Sequence, residues 1–269
     1  MTARNVPAAN GIAWLTGAIQ LVLKNPSAFL LMGLIVTVIG SVPILGSLVL
    51  AVISPTLYAG IAWASRVQAR GETAELVHLF QGFKEEGRLG PLLILCLPGV
   101  VAGLIAVVLF AIWIGVALAG AGASAVLERP EALLGAAGGG ALVLGLVMMA
   151  LMIVVFAVTF FAIPAVIFGE NDAFAAMRGS LHASRSNLGA ILLYLLVLAS
   201  AAILMMAVLS IISSLLGQFV TSILIIPVAG ASMYLAWKDT FGGTATREVP
   251  VLPESEPSEP PQDGGGMVA

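Results

Sequence analysis

The sequence predicts an all-α fold: a polytopic membrane bundle of six transmembrane helices arranged as three hairpins, with short interfacial helices on the cytoplasmic side. Three observations lead there. Charged residues make up only 9% of the 269-residue chain against 60% hydrophobic, with a mean hydropathy of +1.10, a balance typical of bilayer-embedded chains. Asp, Glu, Lys, Arg and His are absent from residues 25–65, 89–127, 132–169 and 186–237, and crossing a hydrocarbon core of ~30 Å takes roughly 20 apolar residues. Of the eleven Lys and Arg residues, all but Arg129 fall on the side that a six-span topology assigns to both termini. An excess of Lys and Arg near span ends marks the cytoplasmic face.

The first and fourth tracts are long enough to cross twice. The second and third each cross once, because Gly120, Gly122 and Ala123 loosen the end of one, while Gly135 and Gly138 to Gly140 loosen the start of the other as a flexible outer connection. The expected spans are Pro26 to Val42, Gly46 to Arg66, Pro91 to Ala117, Ala141 to Phe168, Leu188 to Leu209 and Thr221 to Trp237. Continuous apolar runs favour helices over barrel strands, which alternate apolar and polar residues. Polar residues within the first 25 positions, among them Asn5, Asn10 and Gln20, argue against a cleavable signal peptide, so the first span would act as its own insertion signal. The single cysteine, Cys96, falls inside the third span as a packing residue.

Three domains follow. Residues 1–25 form a cytoplasmic N-terminus with an amphipathic segment around Trp14, residues 26–240 the six-helix domain, and residues 241–269 a disordered cytoplasmic tail rich in Pro and Glu. The hairpins open alike, at Lys24-Asn25-Pro26, Arg88-Leu89-Gly90-Pro91 and Arg185-Ser186-Asn187-Leu188. Their return helices place a proline before a basic exit residue: Pro55 and Arg66, Pro164 and Arg178, Pro227 and Lys238. These are traces of a repeat, or only the habits of membrane helices. Two further interfacial helices are expected. In residues 72–86, Leu76, Leu79, Phe80 and Phe83 share a face; in residues 170–187, Phe174, Met177 and Leu181 oppose Arg178, His182 and Arg185. Together with the N-terminal segment they would form a docked collar.

The stretch Leu79-Phe80-Gln81-Gly82-Phe83 leading to Gly90-Pro91, then Ile163-Pro164-Ala165-Val166-Ile167-Phe168 and the later Ala176, Ser180 and Asn187, resembles an uncharacterised family of proteobacterial six-helix integral membrane proteins. That family is distantly similar to the membrane domain of glycerophosphodiester phosphodiesterases. The likeness covers about residues 20–240 and implies an inner-membrane location, with Gly82, Phe83, Pro91, Pro164, Ser180 and Asn187 as helix-kink or motif positions. The chain has no phosphodiesterase domain to which that chemistry could be carried.

Chemistry is sparse. His78 and His182 lack a ligand partner at helical spacing, no acid or histidine lies in a span to activate a nucleophile, and the Gly135 to Gly140 run lacks the residues of a phosphate loop. The expectation is therefore no catalytic residue, no metal and no cofactor. Ion-coupled carriers place ionisable groups at mid-membrane, whereas here only Thr37, Ser47, Ser54, Thr56, Thr159, Ser200 and Gln218 are available. Helices broken at Pro43, Pro55, Pro98, Pro164 and Pro227 could still free carbonyls along a path, and Gly99 with Gly103 could let helices approach closely. Arg66, Arg70, Lys84, Arg88, Arg178 and Arg185 flank the collar as possible contacts for anionic headgroups. The expected function is that of a non-enzymatic inner-membrane protein, accessory or structural, interacting with phospholipid. The alternative is a small uncoupled transporter or lipid-translocating protein built on the broken helices. Expected partners are the bilayer, anionic phospholipids, and a membrane protein or a second copy of the chain; nothing points to nucleic acid.

Overall fold

The computed structural model describes residues 3–121, 131–170 and 172–245. They form α1 (Asn10–Lys24), α2 (Pro26–Ser41), α3 (Leu45–Ala69), a 3-10 turn (Leu76–Phe80) running into α4 (Gln81–Lys84), α5 (Leu89–Ile94), α6 (Leu97–Ala121), α7 (Glu131–Thr159), α8 (Ala162–Phe168), α9 (Ala173–Ser186), α10 (Leu188–Ser210) and α11 (Ser214–Ala245), with no strand among the described residues. Five segments are long and apolar enough to cross a membrane: Leu45–Ala69, Leu89–Ala119, Gly140–Phe168, Leu188–Ser210 and Ser214–Gly242. The pair α1 and α2, bent by 106°, makes a sixth if counted as one span. Alone, α2 has 16 residues and rises roughly 24 Å.

The bend at α1–α2 comes from Asn25-Pro26. The residue before proline is pushed out of the helical region, and Asn25 sits at φ −145°, ψ 69°. Proline then opens α2, where its missing N–H costs nothing. The Asn25 Nδ2 donates to the Ala74 carbonyl at 2.6 Å, so the corner is pinned to the chain entering the 3-10 turn. The expected amphipathic segment is therefore a helix lying across α2. It is more than interfacial, because its Trp14 face packs into the bundle while Ile12, Ile19 and Leu23 stay exposed.

The hub is α11, which packs against α1, α2, α3 and α10. One core cluster joins Trp14 to Phe160, Phe161, Ile167 and Tyr194; a second joins Phe29 and Met32 of α2 to Leu57 and Ile61 of α3 and to Leu79. The α6–α7 hairpin differs, packing chiefly on itself and leaving Val107, Val116 and Leu142 about 70% exposed (68%, 68% and 72%). Such a surface suits hydrocarbon, where all backbone groups are satisfied within the helices. Gly135 and Gly138 to Gly140, expected in a loose connection, lie inside α7, which starts ten residues before the expected span. At Gly140 the missing side chain lets the Trp113 ring lie against the helix, since an added Cβ would come 3.0 Å from the Trp113 Cδ1.

The descending α7 breaks at Phe160–Phe161 and resumes as α8. Pro164 causes this: it lacks an N–H, and its ring crowds the carbonyl four residues back, that of Phe160. The Gly169 backbone, at φ 156°, then turns the chain into α9, capped by Asp172, whose carboxylate accepts from the Phe174 N–H at 2.9 Å. Pro55 and Pro227, by contrast, sit inside continuous helices. The return helices are thus not equivalent, and the proline part of the repeat fails at Pro164. What recurs is a shorter element before each hairpin: α1, the 3-10 turn with α4, and α9.

The single helix expected over residues 72–86 is instead the 3-10 turn and one turn of α4. Docking on α3 sets this geometry. Gly60 of α3 meets the Leu79 carbonyl where any Cβ would collide with it, so the backbones touch and Leu79 is fully buried while Phe80 and Phe83 face outward. In α9 the packed face consists of Ala173, Ala176, Ser180, Ala183 and Ser184. Of the apolar trio expected at the interface, Phe174 is 55% exposed and Met177 and Leu181 lie at the flanks of that face. Gly99 and Gly103, expected at a close helix approach, have no neighbour within 4 Å of an added Cβ; the close approaches fall at Gly11, Gly33 and Gly60.

Candidate functional site

Two buried side chains of the motif set tie α9 to its neighbours. Asn187, at the α9–α10 corner, is 2% exposed. Its Oδ1 accepts from the Val6 N–H at 2.7 Å, and its Nδ2 donates to the Arg4 and Ala183 carbonyls at 3.1 and 3.0 Å. The Ser180 hydroxyl donates to the Ala157 carbonyl at 2.8 Å and accepts from the Phe161 N–H at 3.1 Å, and Ser184 donates to the same carbonyl at 3.0 Å. The Phe161 N–H and the Ala157 carbonyl, two backbone groups at the α7–α8 break, are thereby satisfied by α9, as membrane helices require. Gly82 is buried against Thr56, Phe83 is exposed, and Pro91 is half-buried within α5.

The segment before α1 is tied to the end of α11. The Arg4 guanidinium contacts Asp239 at 2.6 Å, and Asp239 also accepts from Asn10 Nδ2 at 2.7 Å and Trp14 Nε1 at 3.0 Å. The Arg4 N–H donates to the Thr240 carbonyl at 3.0 Å. This cluster is not apparent in the sequence, where Asp239 looks like an ordinary acid at a helix exit; a carboxylate one residue past a basic exit was the available signal.

The six candidate basic residues divide into two groups. Arg66 lies 5.7 Å from the Trp63 ring and 4.9 Å from that of Phe168, within an aromatic group in which Trp63 stacks on Phe168 at 6.2 Å and Trp237 lies tilted against Phe168 at 4.9 Å. Arg88 donates to the Glu170 carbonyl at 3.1 Å. Arg70, Lys84, Arg178 and Arg185 are exposed. His78 caps the 3-10 turn, its Nδ1 accepting from the Glu75 N–H at 2.9 Å, and His182 is exposed.

The polar mid-span residues do not form one seam. Ser54 and Thr159 line a cavity of about 150 Å³ with Pro55, Tyr58 and Cys96, at the meeting point of α3, the α5–α6 junction and the α7–α8 break. Thr37 and Gln218 line a separate cleft of about 350 Å³ between α2, α3 and α11. Thr56 is fully buried with an unpartnered hydroxyl, and Ser47 bonds its own helix at the Ile44 carbonyl. Ser200 is exposed. A third cleft, of about 440 Å³, opens between α7 and α10 beneath α9, with Arg185 at its rim.

The run of long apolar helices, exposed hairpin and internally satisfied breaks defines a multi-pass α-helical membrane protein. Residues 2–251 match the model of a domain of unknown function, DUF7847, and the chain belongs to that family. No curated protein and no solved structure matches the chain.

Proposed function

We propose that this is a non-enzymatic accessory protein of a bacterial inner membrane, with both termini cytoplasmic, whose collar engages anionic phospholipid headgroups. The observation that carries the reading is the exposure of Lys84, Arg178 and Arg185 on elements that lie beside, not across, the bundle, with Arg70 exposed at the end of α3. A cation near an anionic leaflet gains on the order of 1 kcal/mol. Phe80, Phe83 and Phe174, exposed on the same elements, are suited to enter the interface beside those cations. The resemblance to phosphodiesterase membrane domains fits the same reading, as a lipid-facing module without the hydrolase. The test is to replace Arg70, Lys84 and Arg178 with Gln and weigh the anionic lipid that co-purifies. A clear drop is expected; an unchanged lipid complement at equal folding would refute the collar's role.

A second reading, a small uncoupled conduit, is favoured by one observation: the central cavity sits where three interrupted or proline-containing segments meet. Its volume corresponds to roughly five waters. Solute flux into vesicles that Thr159→Val abolishes would support it, and flux at the protein-free rate would dismiss it.

A further inference from the structure

The lateral cleft has features that the collar as a whole does not. Its walls are Ile153, Val154 and Phe156 of α7 facing Leu188, Leu192 and Leu195 of α10. The two helices touch through Phe156, Phe160 and Tyr194, with ring centroids 6.2 and 5.4 Å apart, and α9 bridges them. Small residues on the packed face of α9 let it sit deeply, and the opposite consequence is a furrow along its flank. The polar group Ser184 at the furrow's head is already committed to the Ala157 carbonyl. Arg185 is exposed, has no described ion-pair partner, and lines the same furrow.

We propose that this cleft binds one anionic phospholipid of the collar-side leaflet, an acyl chain lying along Val154, Leu188, Leu192 and Leu195 and the phosphate resting on the Arg185 guanidinium. The proposal rests on the collar reading and names one site within it. Geometry supports the occupant. From Leu188 to Leu195 the wall rises roughly 10 Å along α10, most of the ~15 Å depth of one leaflet. The furrow is apolar along its length and cationic at the interfacial end, matching the order of groups in a phospholipid. Guanidinium offers a planar fork that meets phosphate oxygens in pairs.

The experiment uses the full chain in nanodiscs of phosphatidylcholine doped with phosphatidylglycerol, followed by graded detergent stripping and native mass spectrometry. One phosphatidylglycerol per chain should resist removal. Arg185→Gln should weaken its retention roughly tenfold to a hundredfold, as loss of a charge-assisted contact predicts, and Arg185→Lys should restore part of it. Leu192 is 47% exposed, so Leu192→Trp can fill the furrow without disturbing the core and should displace the lipid equally. If neither Arg185→Gln nor Leu192→Trp changes retention while the Arg70, Lys84 and Arg178 triple variant does, the site is wrong and the collar reading stands. If no variant matters, both fall. Competition by glycerol 3-phosphate at lipid-like concentration would show a headgroup site only and overturn the acyl assignment, and a protein chain retained in place of lipid would overturn the occupant.

Discussion

At the scale of single residues, hydrogen-bond satisfaction explains why particular polar side chains stand in a chain so apolar. Asn187 serves three backbone groups at once, so Asn187→Ala leaves the Val6 N–H and the Arg4 carbonyl without that partner. The expected cost is about 1–3 kcal/mol, read as a lower melting temperature in detergent with faster proteolysis before residue 10. Ser180 and Ser184 share the Ala157 carbonyl, which gives a sharper expectation. Ser184→Ala should cost about 0.5–1 kcal/mol, because the Ser180 hydroxyl remains on that carbonyl; Ser180→Ala, which also strands the Phe161 N–H, should cost about 1–3 kcal/mol, and the double variant should cost more than the sum. Strict additivity in that cycle would mean the two hydroxyls do not act on one group.

At the scale of elements, backbone contact decides which glycines matter. Gly11 sits where a Cβ would strike the Ala190 carbonyl, and Gly60 where it would strike that of Leu79; alanine at either should destabilise by about 1–3 kcal/mol through overpacking. Gly103→Ala, with open space around it, should be neutral or stabilise by up to about 1 kcal/mol, the helix-propensity difference. Melting curves of the three variants check this directly. The spans were largely legible in the sequence, because uncharged tracts of membrane-crossing length leave few alternatives. Pairings were not. Gly99 and Gly103 present the spacing of a close approach, as Gly11 does not, yet whether a glycine meets a neighbour depends on which helix lies opposite, and sequence pattern alone does not encode that. Likewise the apolar residues of α9 are legible as an interfacial set, but its packing through Ala and Ser is not, because that packing follows from close approach to the α7–α8 break, which requires small side chains.

For the whole molecule, the basic bias remains the strongest guide to orientation. In a Cys96→Ala background, cysteines introduced at Arg70, Lys84 and Arg178 should react with an impermeant maleimide from the side of the termini, and cysteines at Ile44 and Ile212 from the other. Labelling of both sets from one side would break the proposed topology. The candidate lipid contacts were legible as a set of basic residues but not as individuals. Arg66 and Arg88 have protein partners, and only the packing of α7, α9 and α10 distinguishes Arg185 from Arg178.

The tie between the segment before α1 and the end of α11 has a consequence for biogenesis. Arg4 and Asp239 are separated by 235 positions, so nearly the whole described chain must exist before the two can meet. Until α11 enters the bilayer, Trp14 and Asn10 have no carboxylate to bind and α1 has no hub to lie on. Contacts of this range form late, which makes the latch a marker of completed assembly: an immature bundle would present a loose, aromatic-bearing N-terminal arm at the membrane surface, open to surveillance proteases, and closure would remove it from view.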